Sequence, residues 1–301
     1  MHARKADLDQ QIEATRAQYE ALEQRIEARA GRNLILAILI GLAAGGLLLL
    51  SLFVVKWLFV LFVMAIVGFA VWELASALRT GGMHVPRIPL TVASVFVPPA
   101  AYFLGPSGLL ATLLGAIVLT ALWRIAIQFS PSQRTTGRRL LGDLAGIAFV
   151  NTYVSFLGGL AVLLTAEDGG EWWTLGFIAI AVATDVGAYI FGLSFGKHKM
   201  APVISPKKTW EGFGGGMLFG VIVAVLLALF ALDQQWWFGI VFGIAIVLAA
   251  TMGDLVESLI KRDLGIKDMS SLLPGHGGFL DRLDSILPSA AVAYLAYLLV
   301  A

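Results

Sequence analysis

From residue 34 to the C-terminus, apolar residues come in runs of about twenty, the length a helix needs to cross the hydrocarbon core of a bilayer. Inside that core every backbone N–H and C=O must be satisfied within the segment, so such runs are read as helices. The expected fold class is therefore an all-α, polytopic integral membrane protein. A soluble domain is excluded by the same runs, because a chain with 58% hydrophobic and 14% charged residues lacks the polar surface to cover them.

The runs predict about nine transmembrane helices, at 34–54, 57–78, 88–104, 107–128, 140–165, 172–191, 213–232, 236–256 and 285–301. Pro98 and Pro99 fall inside the third and are expected to distort it. Ahead of them lies a polar leader, residues 1–32, in which Leu8, Ile12, Thr15, Tyr19, Leu22 and Ile26 recur at heptad-like spacing. The leader can form a coiled coil, making a homodimer or binding a partner helix, or it can lie as an amphipathic helix against the membrane or the protein's own surface. Its charge and length do not fit a cleaved signal peptide, so it is expected to stay. The chain thus divides into the leader, N-terminal transmembrane helices at 33–139, and a C-terminal catalytic membrane region at 140–301. That last region carries two long polar loops, 192–212 and 257–284. No internal repeat of the kind seen in many secondary transporters is visible.

Lysine and arginine set the orientation. With the N-terminus cytoplasmic, every one of the 21 lysines and arginines except Lys56 falls on the cytoplasmic side or at the adjoining helix ends, and the C-terminus lies outside. The tryptophans at 57, 72, 123, 172, 173, 236 and 237 cluster at expected helix ends, as interfacial anchors do. Glu73, Arg124 and Asp143 also lie near helix ends and are expected to be interfacial or to form structural ion pairs. The absence of cysteine removes thiol nucleophiles and cysteine metal sites from consideration.

The chemistry concentrates in the two polar loops. Each is introduced by an aspartate in or beside an apolar helix, Asp185 and Asp254, where an ionisable group costs about 2.5–3.5 kcal/mol on insertion scales. Asp281 and Asp284 are one helical turn apart at the start of the last helix. Three carboxylates without a cysteine or histidine cluster favour a hard divalent cation such as magnesium, which takes its remaining ligands from water and phosphate. Lys207, Lys208, Lys261, Arg262, Lys267 and Arg282 supply matching positive charge for phosphate oxygens. Gly275, Gly277 and Gly278 allow backbone amides close to an anion, "FGGG" at 213–216 is expected to open a helix, and His276 can bind phosphate or shuttle a proton. Basic loops and glycines also follow from topology and membrane packing, whereas acidic residues contribute little to orientation, so the aspartates carry the functional reading.

These residues resemble the signature of the phosphatidate cytidylyltransferases, or CDP-diacylglycerol synthases. Ser258, Lys261, Arg262, Lys267, Asp268, Ser270, Leu273, Pro274, His276, Gly277, Gly278, Asp281, Arg282 and Asp284 fall on that pattern without a departure. Upstream, Asp185, Tyr189, Gly192, Gly196, Ser205, Pro206, Lys207, Lys208, Thr209, Glu211 and Gly212 are similar to the family's other cytoplasmic stretch. The likeness covers residues 140–290; the leader and the first helices carry none of it. It implies transfer of a cytidylyl group from CTP to phosphatidic acid, giving CDP-diacylglycerol and pyrophosphate, at the cytoplasmic face of the plasma (inner) membrane. Mg2+ is the implied cofactor, with a second cation beside it. Asp254, Asp281 and Asp284 would hold metal and, with Lys267 and His276, act in catalysis. Asp185, Ser205, Lys207, Lys208, Lys261, Arg262, Gly277, Gly278 and Arg282 would bind substrate. The partners are CTP, phosphatidic acid and membrane lipid, and no nucleic acid. A CTP-dependent lipid kinase, a cytidylyltransferase for another lipid phosphate, a cation-coupled transporter and a non-catalytic scaffold built on the leader remain alternatives at this stage.

Overall fold

The computed structural model describes residues 34–130, 134–270 and 278–300. The heptad leader, His276 and Gly277 lie outside the described residues. The chain divides into two compact units, Met1–Leu50 and Ser51–Ala301. Helix α1, Leu34–Phe53, is a 20-residue apolar helix that begins in the first.

In the second unit the order is α2 (Lys56–Thr80), α3 (Arg87–Ser94), α4 (Val97–Ile127), α5 (Gly137–Ala166), α6 (Gly170–Phe195), β1 (Lys199–Ala201), β2 (Ser205–Thr209), α7 (Trp210–Phe230), α8 (Trp236–Asp263) and α9 (Leu280–Val300). The protein is an all-α polytopic membrane protein whose only strands among the described residues are the short antiparallel pair β1–β2. Seven helices among the described residues, α2 and α4 to α9, are long and apolar enough to cross a membrane, against nine expected.

One of the two differences has a physical cause. The helix expected at 88–104 is broken, because Pro98 and Pro99 have no N–H to bond back to Ser94 and Val95. Instead α3 ends at Ser94, the chain turns through Val95 and Phe96, and the prolines open α4, where missing donors cost nothing. The break at Gly105, whose φ of 65° and ψ of −156° are outside the helical region, falls at the expected boundary between the helices at 88–104 and 107–128. A Cβ placed on Gly108 would fall 2.6 Å from the carbonyl oxygen of Ala100. In a straight helix eight residues span about 12 Å, so the chain reverses at Gly105 and the remainder of α4 runs as a helix of its own.

Helix α5 contains a π-helical turn, Asn151–Phe156, in its middle. Asn151 there accepts a hydrogen bond from Ser94 Oγ at 3.0 Å and bonds back to the Ile147 carbonyl, tying α5 to α3 in the core. The most extensive packing joins α6 to α7, and glycine is the reason. Gly212, Gly215 and Gly216 on α7 lie against the backbone and side chains of Thr184, Gly187, Ala188 and Phe191 on α6, so close that added Cβ atoms would fall 2.4–2.9 Å away. The expectation that 213–216 opens a helix is thereby corrected. Helix α7 begins at Trp210, capped by Thr209, whose Oγ1 accepts from Gly212 N, and the glycines form a packing seam inside it.

Arg124 and Asp143 form a fully buried ion pair at 2.8 Å, and Arg124 also donates to Gln128 and Thr135, as the structural-pair expectation had it. Trp173 does not anchor at an interface. It is buried, with its ring edge-on to Phe242 and Tyr297.

Candidate functional site

A cavity of about 310 Å³ is bounded by Thr184, Asp185 and Tyr189 of α6, Lys207 and Lys208 of the β-hairpin, and Thr251 and Asp254 of α8. The hairpin that delivers the lysines is fixed at three points. Arg262 at the end of α8 donates from Nε to the Ile204 carbonyl at 3.2 Å. Glu211 in the first turn of α7 accepts the backbone N–H groups of Lys197 and His198 and pairs with His198 Nδ1 at 2.6 Å. Trp210 N donates to the His198 carbonyl. Held in this way, Lys208 reaches Asp254 with its ammonium 2.6 Å from Oδ2, while Asp254 Oδ1 accepts from Ser258.

One turn beyond Asp254, α8 presents Glu257, and one turn further Lys261. The Lys261 ammonium bridges Glu257 at 2.7 Å and Asp281 at 2.8 Å. The other oxygen of Asp281 accepts the N–H of Gly278 at 2.8 Å and of Met269 at 3.0 Å, gathering both ends of the loop that joins α8 to α9. Asp284 lies across from Asp254, and Gly253 allows the approach: a Cβ there would sit 2.0 Å from the Asp284 carbonyl oxygen. Asp284 Oδ1 accepts the backbone N–H of Ser285.

Of the residues singled out from the sequence, Asp185, Lys207, Lys208 and Asp254 line one cavity. Lys261 and Asp281 form the neighbouring ionic cluster, with Gly278 bonded to Asp281. Arg262 secures the hairpin through a backbone carbonyl, and its neighbour Lys267 is exposed. Ser205 stands on β2 opposite Ala201.

Two buried polar groups escaped the reading of the sequence, and a third was misplaced by it. Glu257 is 1% exposed, and its Oε1 is buried without a hydrogen-bond partner. Its spacing from Asp254 and Lys261 on one apolar helix was the available signal. Tyr153, on the π-helical turn of α5, has a buried hydroxyl without a partner and lies within electrostatic reach of Asp254, Glu257 and Asp284. No local pattern marks it. Glu73, expected at an interface or in a structural ion pair, is instead buried on α2, and it accepts hydrogen bonds from the backbone of Phe279 and Leu280.

The donor set suits a hard cation, since it consists of carboxylates, the buried Glu257 among them. Among the described residues no three acidic or histidine side chains are gathered closely enough to enclose an ion. Lys208 and Lys261 hold Asp254 and Asp281 instead, and a divalent cation would compete with them for those carboxylates.

Residues 35–300 match the model of the cytidylyltransferase family, so the match takes in the first helices, beyond the stretch that carries the signature. A phosphatidate cytidylyltransferase of Mycobacterium bovis is 39% identical over 273 residues, covering 89% of each chain. One of Mycobacterium leprae is 38% identical over 274 residues, covering 88% of each. A Staphylococcus epidermidis protein of the same name is 43% identical over 142 residues, 46% of this chain and 55% of its own.

Proposed function

Because the chain belongs to the cytidylyltransferase family and is a nucleotidyltransferase, we propose that it transfers the cytidylyl group of CTP to phosphatidic acid, releasing pyrophosphate. Support for the substrates comes from the shared name of the relatives, phosphatidate cytidylyltransferase. The observation that carries the reading is the cavity in which a hairpin lysine, Lys208, meets an aspartate of a membrane helix, Asp254.

The reaction asks little covalent chemistry of the protein. The phosphate monoester of phosphatidic acid is already an anion at neutral pH. One of its oxygens forms a bond to the α-phosphorus of CTP as the bond from that phosphorus to the bridging oxygen of pyrophosphate breaks. The task is to bring anions together and to stabilise the charge that leaves. Lys207 and Lys208, which line the cavity, would bind the nucleotide phosphates, with Arg262 and Lys267 as further phosphate-binding groups. Asp185 would orient a lysine from the opposite wall. Asp254, Asp281 and Asp284 would hold magnesium, with a second cation beside it. Bound magnesium would neutralise phosphate oxygens and align the attacking and leaving groups. Asp254 and Asp281 would exchange their lysines for it, freeing Lys208 and Lys261 to turn toward phosphate.

The distribution of basic residues supports a site at the cytoplasmic face of the plasma membrane, with the C-terminus outside. Phosphatidic acid would then enter sideways from the inner leaflet while CTP arrives from the cytoplasm.

Product identity tests the proposal. Protein in detergent is given phosphatidic acid and magnesium with CTP labelled at either the α- or the γ-phosphate. Label from the α-position in lipid, with γ-label in pyrophosphate, is the expected result. Label from the γ-position in lipid would instead identify a CTP-dependent lipid kinase.

A further inference from the structure

Glu73 is a carboxylate in the C-terminal half of a membrane helix, 1% exposed, yet it lies 206 residues in sequence from the nearer of the two amides it binds. Its Oε1 accepts from Ser270 Oγ at 2.5 Å and from the N–H of Phe279 at 3.0 Å. Its Oε2 accepts from the N–H of Leu280 at 2.9 Å. Helix α9 begins at Leu280, and the first N–H groups of a helix have no partner within it. Glu73 therefore caps α9 from a different helix, with a negative end group where the helix dipole favours one.

Two further contacts seat the same residues. Phe69, one turn before Glu73 on α2, stacks on Phe279 with ring centroids 4.7 Å apart. A Cβ on Gly278 would fall 2.7 Å from Glu73 Oε2, so a side chain there would push against the carboxylate. The residue that follows Leu280 is Asp281, whose carboxylate holds Lys261 and the N–H groups of Gly278 and Met269. Ser270, the remaining donor to Glu73, follows Met269. Thus one buried glutamate fixes the backbone on both flanks of the loop and immediately before Asp281.

We propose that Glu73 is a positioning residue for the transfer reaction: by binding the amides of Phe279 and Leu280 and the hydroxyl of Ser270, it sets the orientation of Asp281 and the affinity of the acidic cluster for a divalent cation. This rests on the function proposed above. It also gives the N-terminal helices, which carry none of the signature, a part in the site.

The test uses the full chain in detergent with Glu73→Ala, Glu73→Gln and Asp281→Asn. It follows amide hydrogen exchange at 279–280, Mn2+ affinity by electron paramagnetic resonance, and label transfer. Glu73→Ala should speed exchange at 279–280 and weaken Mn2+ binding by about 10- to 100-fold, the usual effect of removing an outer-shell partner. The Mg2+ needed for half-maximal rate should rise in parallel while KM for CTP, at saturating Mg2+, stays within about threefold. Glu73→Gln, which keeps one acceptor oxygen, should fall between, and it decides the matter if the alanine variant does not fold. Faster exchange with Mn2+ affinity and Mg2+ dependence unchanged would reduce Glu73 to a structural cap and overturn the proposal, as would unchanged exchange. A wild-type protein that binds no Mn2+ would also overturn it. If the wild type transfers no label but loses Mn2+ affinity on Glu73→Ala, the positioning role stands and the proposed reaction falls.

Discussion

Lys208 and Asp254 meet at 2.6 Å although 46 positions separate them, because a two-stranded hairpin held by Arg262 and Glu211 lays the lysine over α8. If that lysine binds a nucleotide phosphate, Lys208→Ala removes a hydrogen bond between charged groups, worth about 1.5–3 kcal/mol. KM for CTP should then rise by about 10- to 100-fold, and steady-state kinetics over a CTP series will show it. An unchanged KM would place the phosphates elsewhere. Arg124 offers the contrast. Its fully buried pair with Asp143 lies among Gln128 and Thr135, and breaking a buried pair costs about 3–5 kcal/mol. Arg124→Ala should lower the thermal midpoint in detergent markedly while the folded fraction keeps its KM for CTP. At this scale the sequence was legible where charge and spacing coincide, as at Asp185, Lys207, Lys208 and Asp254. It misplaced Glu73 and was silent at Tyr153, since nothing near them in the chain records which distant amide or carboxylate they face.

Helix crossings set the distances between these groups, and glycine sets the crossings. A Cβ at position 253 would sit 2.0 Å from the Asp284 carbonyl oxygen, whereas one at position 214 would meet nothing within 4 Å. Gly253→Val should therefore force α8 from α9, separate Asp254 from Asp284 and abolish transfer. Gly214→Ala should leave activity intact and, by removing a glycine from a helix interior, add up to about 1 kcal/mol of stability. Equal activity in the two variants would refute the crossing as the determinant of the site. Apolar runs announced most of these helices within a few residues. They marked the boundary at Gly105, between the runs at 88–104 and 107–128, and the prolines marked where the third run would distort, but not that it would break before Pro98. The glycines at 213–216 were visible but misassigned, since whether a glycine faces an anion or a neighbouring helix depends on the partner's position.

The whole molecule is a membrane-embedded nucleotidyltransferase of the cytidylyltransferase family whose polar residues beyond the leader gather mainly in two segments, 192–212 and 257–284. Its orientation can be read directly, because the chain has no cysteine to interfere. A single cysteine at position 199 in the hairpin should resist a membrane-impermeant maleimide added to intact cells. One at position 168, in the turn between α5 and α6, should react. The reverse pattern would invert the topology and put the site outside. The central claim is that the cavity shared by Lys208 and Asp254 is where cytidylyl transfer occurs. Asp254→Asn keeps the side chain's size and removes its charge, so transfer of α-label from CTP to phosphatidic acid by this variant, beside the wild type, is the most direct measurement. The account predicts a loss of at least about 10²- to 10³-fold, the range for removing one electrostatic stabiliser from an active site, in a protein that melts as the wild type does. Transfer at the wild-type rate would contradict it.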